Sequence, residues 1–244
     1  MPASTERIAL VTGANKGIGL EITRQIGRTA DRTLLGARDA TLGEAAAAAL
    51  RAEGIEVRWI HLDLGKPASI AAAAAAIEAE YGRLDVLVNN AGITDRADGP
   101  PSTASIDAVR RVFETNFFGT LVVTQAMLPL LRRSDAGRIV NVSSGLGSLA
   151  RNSDPAWEYA RLKIMGYNAS KAALNMLTVQ LAAELNGTGI KVNSADPGYT
   201  ATDLNDHRGH QTVEQGAAAA VRLALLADDG PTGGFFSSDG PLPW

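Results

Sequence analysis

Within EYARLKIMGYNASK, residues 158 to 171, two tyrosines each have a lysine four positions on: Tyr159 with Lys163, and Tyr167 with Lys171. Residues at i and i+4 share one face of a helix, about 6 Å apart along its axis, so either pair could present a phenol beside an ammonium. A free phenol titrates near ~10 and is a reluctant proton shuttle; a neighbouring ammonium stabilises the phenolate and lowers that value. Such a pair can hand a proton to a carbonyl oxygen as hydride reaches the carbon, or run the reverse reaction. A hydroxyl donating to the same oxygen would add electrostatic stabilisation, and IVNVSS ends in Ser143 and Ser144. Neighbours on a strand face opposite ways, so one of the two serines is expected to reach the pocket and the other to bond local backbone. This chemistry calls for no metal. The chain has no cysteine and three histidines, His61, His207 and His210, a poor basis for a metal centre.

Positioning such groups requires a rigid scaffold, and the sequence predicts one. Short apolar runs (RIALVTG, RTLLGA, EVRWIHLDL, DVLVNN, GRIVNVSS, IKVNSADPG, GGFFSS) alternate with helical stretches. Helices are expected after the first glycine loop and near 41–53, 68–81, 105–131, 156–186 and 212–227. Runs apolar on both faces, separated by helices, read as βαβ units of a parallel, doubly wound sheet of about seven strands. The alanine-rich stretches EAAAAAL and IAAAAAAIEAEY suit crossover helices, alanine being the best helix former. At 244 residues with 45% hydrophobic and 20% charged, one domain spanning 1–244 is expected. The formal charge of −3, with no basic block, offers nothing to attract nucleic acid or an anionic membrane. No apolar run approaches the ~20 residues of a membrane span, and a cytoplasmic location is expected.

The first strand leads into Thr12-Gly13-Ala14-Asn15-Lys16-Gly17-Ile18-Gly19 and then straight into a helix. Glycines there let the backbone turn sharply and approach a pyrophosphate, whose charge meets the free N–H groups of a helix N-terminus. A plain strand-to-helix turn would look similar. The second strand ends in Gly36-Ala37-Arg38, where an NAD site usually holds an acid for the ribose 2′-hydroxyl. Arg38 with Lys16 instead suits a 2′-phosphate, so NADP(H) is expected over NAD(H). Asp39 is the competing acid should the strand end be misplaced by one or two residues.

At this point the chain resembles the short-chain dehydrogenase/reductase family, and within it the carbonyl reductase branch. The motifs that carry the resemblance run almost end to end: TGANKGIG at 12–19, Asp63, NNAG at 89–92, TNFFGT at 115–120, IVNVSS at 139–144, YNASK at 167–171 and PGYTATD at 197–203. The resemblance implies a Rossmann-type fold and an NADPH-dependent reductase of a ketone, aldehyde or quinone. It places Gly13, Asn15, Lys16, Gly17, Ile18, Gly19 and Arg38 on the cofactor, with Asp63 and Leu64 at the adenine and Asn90, Ala91 and Gly92 near a ribose. Pro197 and Gly198 would border the nicotinamide, and Thr200 and Thr202 its carboxamide and the phosphates. Ser144 would polarise the carbonyl, Tyr167 donate the proton, Lys171 tune the tyrosine and hold the ribose, and Asn116 distort its helix while holding a water beside the lysine. Two other functions stay open: an alcohol dehydrogenase working mainly oxidatively, and an NADP-sensing protein without turnover. The substrate is not encoded in a readable motif.

The two tyrosines are separated by spacing. Ser144 to Tyr159 matches the short gap of most of the family, but Lys171 to Pro197 matches the gap downstream, and starting from Lys163 would demand about 12 Å of extra helix. Tyr167 is followed by small residues that allow close helix packing, whereas Glu158, Tyr159 and Lys163 read as a solvated helical face or pocket rim. Tyr167 with Lys171 is therefore the expected pair. The choice implies a modest insertion within about 146–165, and longer insertions in this branch accompany a monomeric state, so monomer is expected ahead of homo-oligomer. His207 and His210 are expected in a solvated loop.

Overall fold

The computed structural model describes residues 6–29 and 32–244. Among the described residues eight strands form one sheet: β1 (Ile8–Thr12), β2 (Arg32–Ala37), β3 (Val57–His61), β4 (Val86–Asn89), β5 (Arg138–Val142), β6 (Lys191–Ala195), β7 (Phe235–Ser237) and β8 (Gly240–Pro241). Their order is β3-β2-β1-β4-β5-β6-β7-β8. The first seven pair in parallel; β8 turns back on β7 antiparallel. The eighth strand departs from the seven expected. It arises where Ser238 and Asp239 reverse the chain and let Gly240 and Pro241 pair with β7.

Helices α1 (Gly17–Gly27), α2 (Ala40–Ala52), α3 (Pro67–Tyr81), α4 (Ile106–Phe113), α5 (Thr120–Leu131), α6 (Leu149–Ser153), α7 (Met165–Glu184) and α8 (Val213–Ala224) fill the connections. Alternate residues of each central strand face opposite layers. Ala9 and Val11 join Leu35, Val88 and Val140 against α1, α2 and α8. Ile8 and Leu10 join Leu34, Leu87 and Ile139 against α3, α5 and α7. Both faces are thus covered, which is why these runs read as continuously apolar. The edge strand β3 differs: Val57 and Ile60 are buried while Arg58 and His61 are exposed.

The alanine runs form helices, as expected. Asp39 caps α2 through Leu42 N–H at 2.9 Å, and α3 opens on Pro67 and ends at Gly82 in the left-handed region (φ 70°). Two expected helices are corrected. The stretch near 105–131 is broken by a π-helical turn, Glu114–Gly119. The stretch near 156–186 is helical only from Met165, because Asp154–Leu162 closes on itself in successive turns (Trp157 N–H to Asp154 O, Ala160 N–H to Trp157 O, Leu162 N–H to Tyr159 O). Among the described residues no helix is long and apolar enough to cross a membrane.

Strand order reverses between β1 and β4, which opens a crevice at their carboxyl ends, the place where open α/β sheets bind ligands. Thr12 closes β1 there, and its hydroxyl accepts the N–H groups of Asn90 and Ala91, both at 3.0 Å.

Candidate active site

The glycine loop forms one wall of the crevice. Gly13 and Gly17 have φ of 62° and 56°, a conformation that side chains disfavour. A methyl on Gly19 would stand 2.3 Å from Asn90 Nδ2 and 2.5 Å from the Gly13 carbonyl, so loop and helix meet with no room for a side chain. Asn90 Nδ2 in turn donates to Thr12 O and Gly13 O at 2.9 and 3.2 Å. Helix α1 begins without a side-chain cap, leaving its N-terminal N–H groups to whatever anion sits before them. Asn15 and Ile18 line the same turn, half-buried.

Arg38 follows β2 on the surface and makes no hydrogen bond or ion pair among the described residues. The competing acid, Asp39, is engaged as the α2 cap. Lys16 is held differently from expectation: its ammonium pairs with Asp203 Oδ2 at 2.6 Å, which ties the glycine loop to the segment after β6. Burial is slight at that pair, so it is a solvated contact. Thr202 lies over the same loop, 3.5 Å from where a methyl on Gly17 would be. Thr200 is turned inward, its hydroxyl donating to Pro197 O at 2.9 Å. Asp63 forms a turn with Gly65 N–H (3.1 Å), and Leu64 packs against Gly119 of the π-helical turn. Together the uncapped helix, the glycine cradle and the free guanidinium fit a phosphorylated dinucleotide.

The second wall is built by β5 and α7. Ser143 and Ser144 diverge as neighbours at a strand end should. Ser143, 1% exposed, donates to Lys171 O at 3.3 Å, whereas Ser144 is partly exposed, its Oγ accepts Leu146 N–H at 3.2 Å, and its hydroxyl acts on the Tyr167 phenol, pulling its pKa down. A methyl on Gly147 would stand 2.7 Å from the Lys171 carbonyl carbon, so the loop carrying Ser144 rests directly on the helix carrying the lysine. Tyr167 and Lys171 are buried (8% and 3% exposed), with Lys171 Nζ 5.7 Å from the tyrosine ring centre and donating to Val142 O at 2.7 Å. Burial pushes Tyr167 up to about 12 against the pull of Ser144, with Asp196 adding to the rise. Burial also draws Lys171 down to about 8. The sign at Tyr167 is opposite to the lowering expected from the lysine, because the ammonium is engaged by a carbonyl and desolvation dominates.

Asn116 sits in the π-helical turn, fully buried. Its Oδ1 accepts Ile93 N–H at 2.8 Å and its Nδ2 donates to Ile93 O (3.0 Å) and Ser170 Oγ (3.1 Å). It therefore joins the segment after NNAG to α7. A methyl on Gly92 would stand 3.4 Å from Lys171 Nζ and 3.5 Å from Asn116 Oδ1, so the three groups converge.

Tyr159 does not share a helix with Tyr167. It is half-buried in a chain of rings, 5.6 Å from Trp157 and 5.9 Å from Tyr199, with His210 5.9 Å beyond. Lys163 is exposed, as are His207 and His210. Two residues that sequence reasoning did not single out also belong to this region. Asp196, 7% exposed, lies 3.4 Å from Arg151 and acts on Tyr167 electrostatically. Asp98 accepts from the start of α7. Nothing local in the sequence marks either.

Comparison with known proteins identifies the family. The short chain dehydrogenase family model matches residues 7–212. The chain belongs to the short-chain dehydrogenase family. It is thus an oxidoreductase with a Rossmann-type fold. Carbonyl reductase [NADPH] 3 of Rattus norvegicus is 38% identical over 264 residues, covering 93% of this chain and 94% of its own. Salutaridine reductase from Papaver somniferum superposes with a TM-score of 0.81 at 31% identity, over 95% of this chain and 99% of its own. The NADPH-bound carbonyl reductase from chicken fatty liver gives 0.84 at 27% identity, over 98% and 94%.

Proposed function

We propose that this family member is an NADPH-dependent carbonyl reductase acting on a ketone, aldehyde or quinone, with Tyr167 as proton donor. The observation that carries the reading is the buried Tyr167 with Lys171 Nζ 5.7 Å from its ring centre, facing the end of β5 where Ser144 acts on the phenol. With its pKa near about 12, Tyr167 holds its proton at neutral pH, the form reduction requires. The likeness to NADPH carbonyl reductases and the free guanidinium of Arg38 support NADPH.

When bound, the nicotinamide supplies the hydride. The chain's own residues do the rest. Ser144 donates to the carbonyl oxygen as negative charge builds there, and Tyr167 passes its proton to that oxygen. Lys171, still mostly an ammonium at pH 7, stabilises the tyrosinate left behind and, in this reading, would hold the ribose. Asn116 braces Ile93 and Ser170, and its Oδ1, which converges with Lys171 Nζ on Gly92, would hold a water beside the lysine. The uncapped start of α1 would hold the pyrophosphate.

Tyr167→Phe tests the proposal: NADPH oxidation with a panel of carbonyl compounds should fall at least about a hundredfold, within the range attributed to general acid catalysis, while NADPH binding followed by fluorescence stays unchanged. Loss of turnover in Tyr159→Phe instead would assign the chemistry to the wrong tyrosine here.

A further inference from the structure

We infer that Asp98 is a positioning residue for Tyr167, acting as the N-terminal cap of the helix that carries the tyrosine. Helix α7 starts at Met165, and the residue at its cap position, Ile164, has no group that could accept the free N–H groups of the first turn. Asp98 takes that place from 68 and 69 residues upstream. Its Oδ1 accepts Gly166 N–H and its Oδ2 accepts Tyr167 N–H, both at 2.9 Å. The next residue completes the set, Gly99 O accepting Met165 N–H at 2.8 Å. All three N–H groups of the first turn therefore end on one two-residue stretch, and one of them belongs to the tyrosine itself.

That stretch is braced independently. Gly99 N–H returns to Asp98 Oδ1 at 2.9 Å, and Asp95 pairs with Arg111 of α4 at 2.8 Å. Ser105 N–H bonds Ala97 O at 3.2 Å. At its upstream end the segment is gripped at Ile93 by Asn116, which also holds Ser170. The loop leaving Gly92 thus fixes α7 at two points, through Asn116 to Ser170 and through Asp98 to Tyr167. Gly166 makes the approach possible: a methyl there would stand 3.1 Å from Asp98 Oδ2 and 3.0 Å from Val109 Cα. A carboxylate at a helix N-terminus is also favoured by the aligned peptide dipoles. Asp98 sets where the first turn begins, and Tyr167, in that turn, inherits its position relative to Ser144.

The inference rests on Tyr167 being the proton donor, so the two are tested in parallel. In the full-length protein, kcat is measured per NADPH site titrated by fluorescence for Asp98→Ala, Asp98→Asn and Tyr167→Phe. A residue with only a structural role lowers the number of competent sites and leaves kcat per site alone. Asp98→Ala is expected to lower kcat per site about tenfold or more, since misplacement by about 1 Å can cost a hundredfold, and to raise the solvent deuterium isotope effect, while NADPH affinity stays within about twofold. Asp98→Asn, which keeps a carbonyl acceptor, should recover part of the loss. Unchanged kcat per site in Asp98→Ala overturns the inference. If Asp98→Ala does not fold, Asp98→Asn decides: kcat per site at least about threefold below wild type supports it, and wild-type kcat per site overturns it. Tyr167→Phe retaining turnover would sink the tyrosine reading itself, a result distinct from either outcome for Asp98.

Discussion

Replacing Lys171 by methionine should stabilise the fold while abolishing activity, and the pH dependence of that gain is the sharper test. Lys171 is 3% exposed and its pKa falls from 10.5 to about 8 through burial alone. That difference corresponds to roughly 3 kcal/mol of desolvation cost carried by the ammonium at pH 7. Methionine fills a similar volume without charge. It leaves Val142 O without its donor, a loss of about 1–2 kcal/mol, so the net gain should be roughly 1–2 kcal/mol, or a few degrees in a chain of this size. The sign follows from proton counting. Between pH 8 and 10.5 the unfolded wild type binds a proton that the folded form has released, so wild-type stability rises through this window as the burial cost disappears. The variant lacks that rise. Urea denaturation at pH 7 and at pH 10 should therefore show Lys171→Met ahead at pH 7 and the lead gone or reversed at pH 10. Parallel stability curves for the two proteins would refute the argument, because they would mean that Lys171 carries no burial cost to be relieved.

Two further substitutions address the cofactor wall. Arg38→Asp should weaken NADPH binding about 10- to 100-fold, the scale of losing hydrogen bonds to a charged partner, while improving NADH; fluorescence titration with both cofactors measures the exchange. Gly19→Ala forces a methyl to 2.3 Å from Asn90 Nδ2 and 2.5 Å from Gly13 O, and should cut NADPH affinity by at least about tenfold in the same titration.

The parts of this molecule legible in the sequence are those written locally. Buried strands flanked by amphipathic or alanine-rich helices give a run-and-gap pattern that needs no tertiary information, and β1 to β7 fall where the apolar runs are. The Tyr167–Lys171 spacing is likewise a one-turn relation that any helix preserves. What was illegible depends on partners distant in sequence. Residues 156–162 carry helix-forming side chains, yet remain in turns while Trp157 and Tyr159 pack against each other and on to Tyr199. The helix near 105–131 widens into a π-turn where Asn116 reaches across to Ile93. Asp98 looks like one more polar residue in a loop, because its meaning lies in a helix that starts 67 residues later.

The pKa of Tyr167 marks the same boundary between local and tertiary information, and it bears on function. An ammonium one turn away argues for an acidic phenol, but the fold buries both groups and engages the ammonium at Val142 O. Burial favours the neutral form of each, which pushes the phenol up to about 12 and the lysine down to about 8. At pH 7 the pair therefore holds a phenol that keeps its proton and an ammonium about one pH unit from losing its own. In the proposed reaction, where the proton goes to substrate, the tyrosinate left behind is a charge that the low-dielectric site penalises unless Lys171 remains cationic. Reduction should then fade as pH rises through about 8, with the phenol still protonated, so the alkaline limb of the rate profile belongs to the lysine and not to the tyrosine.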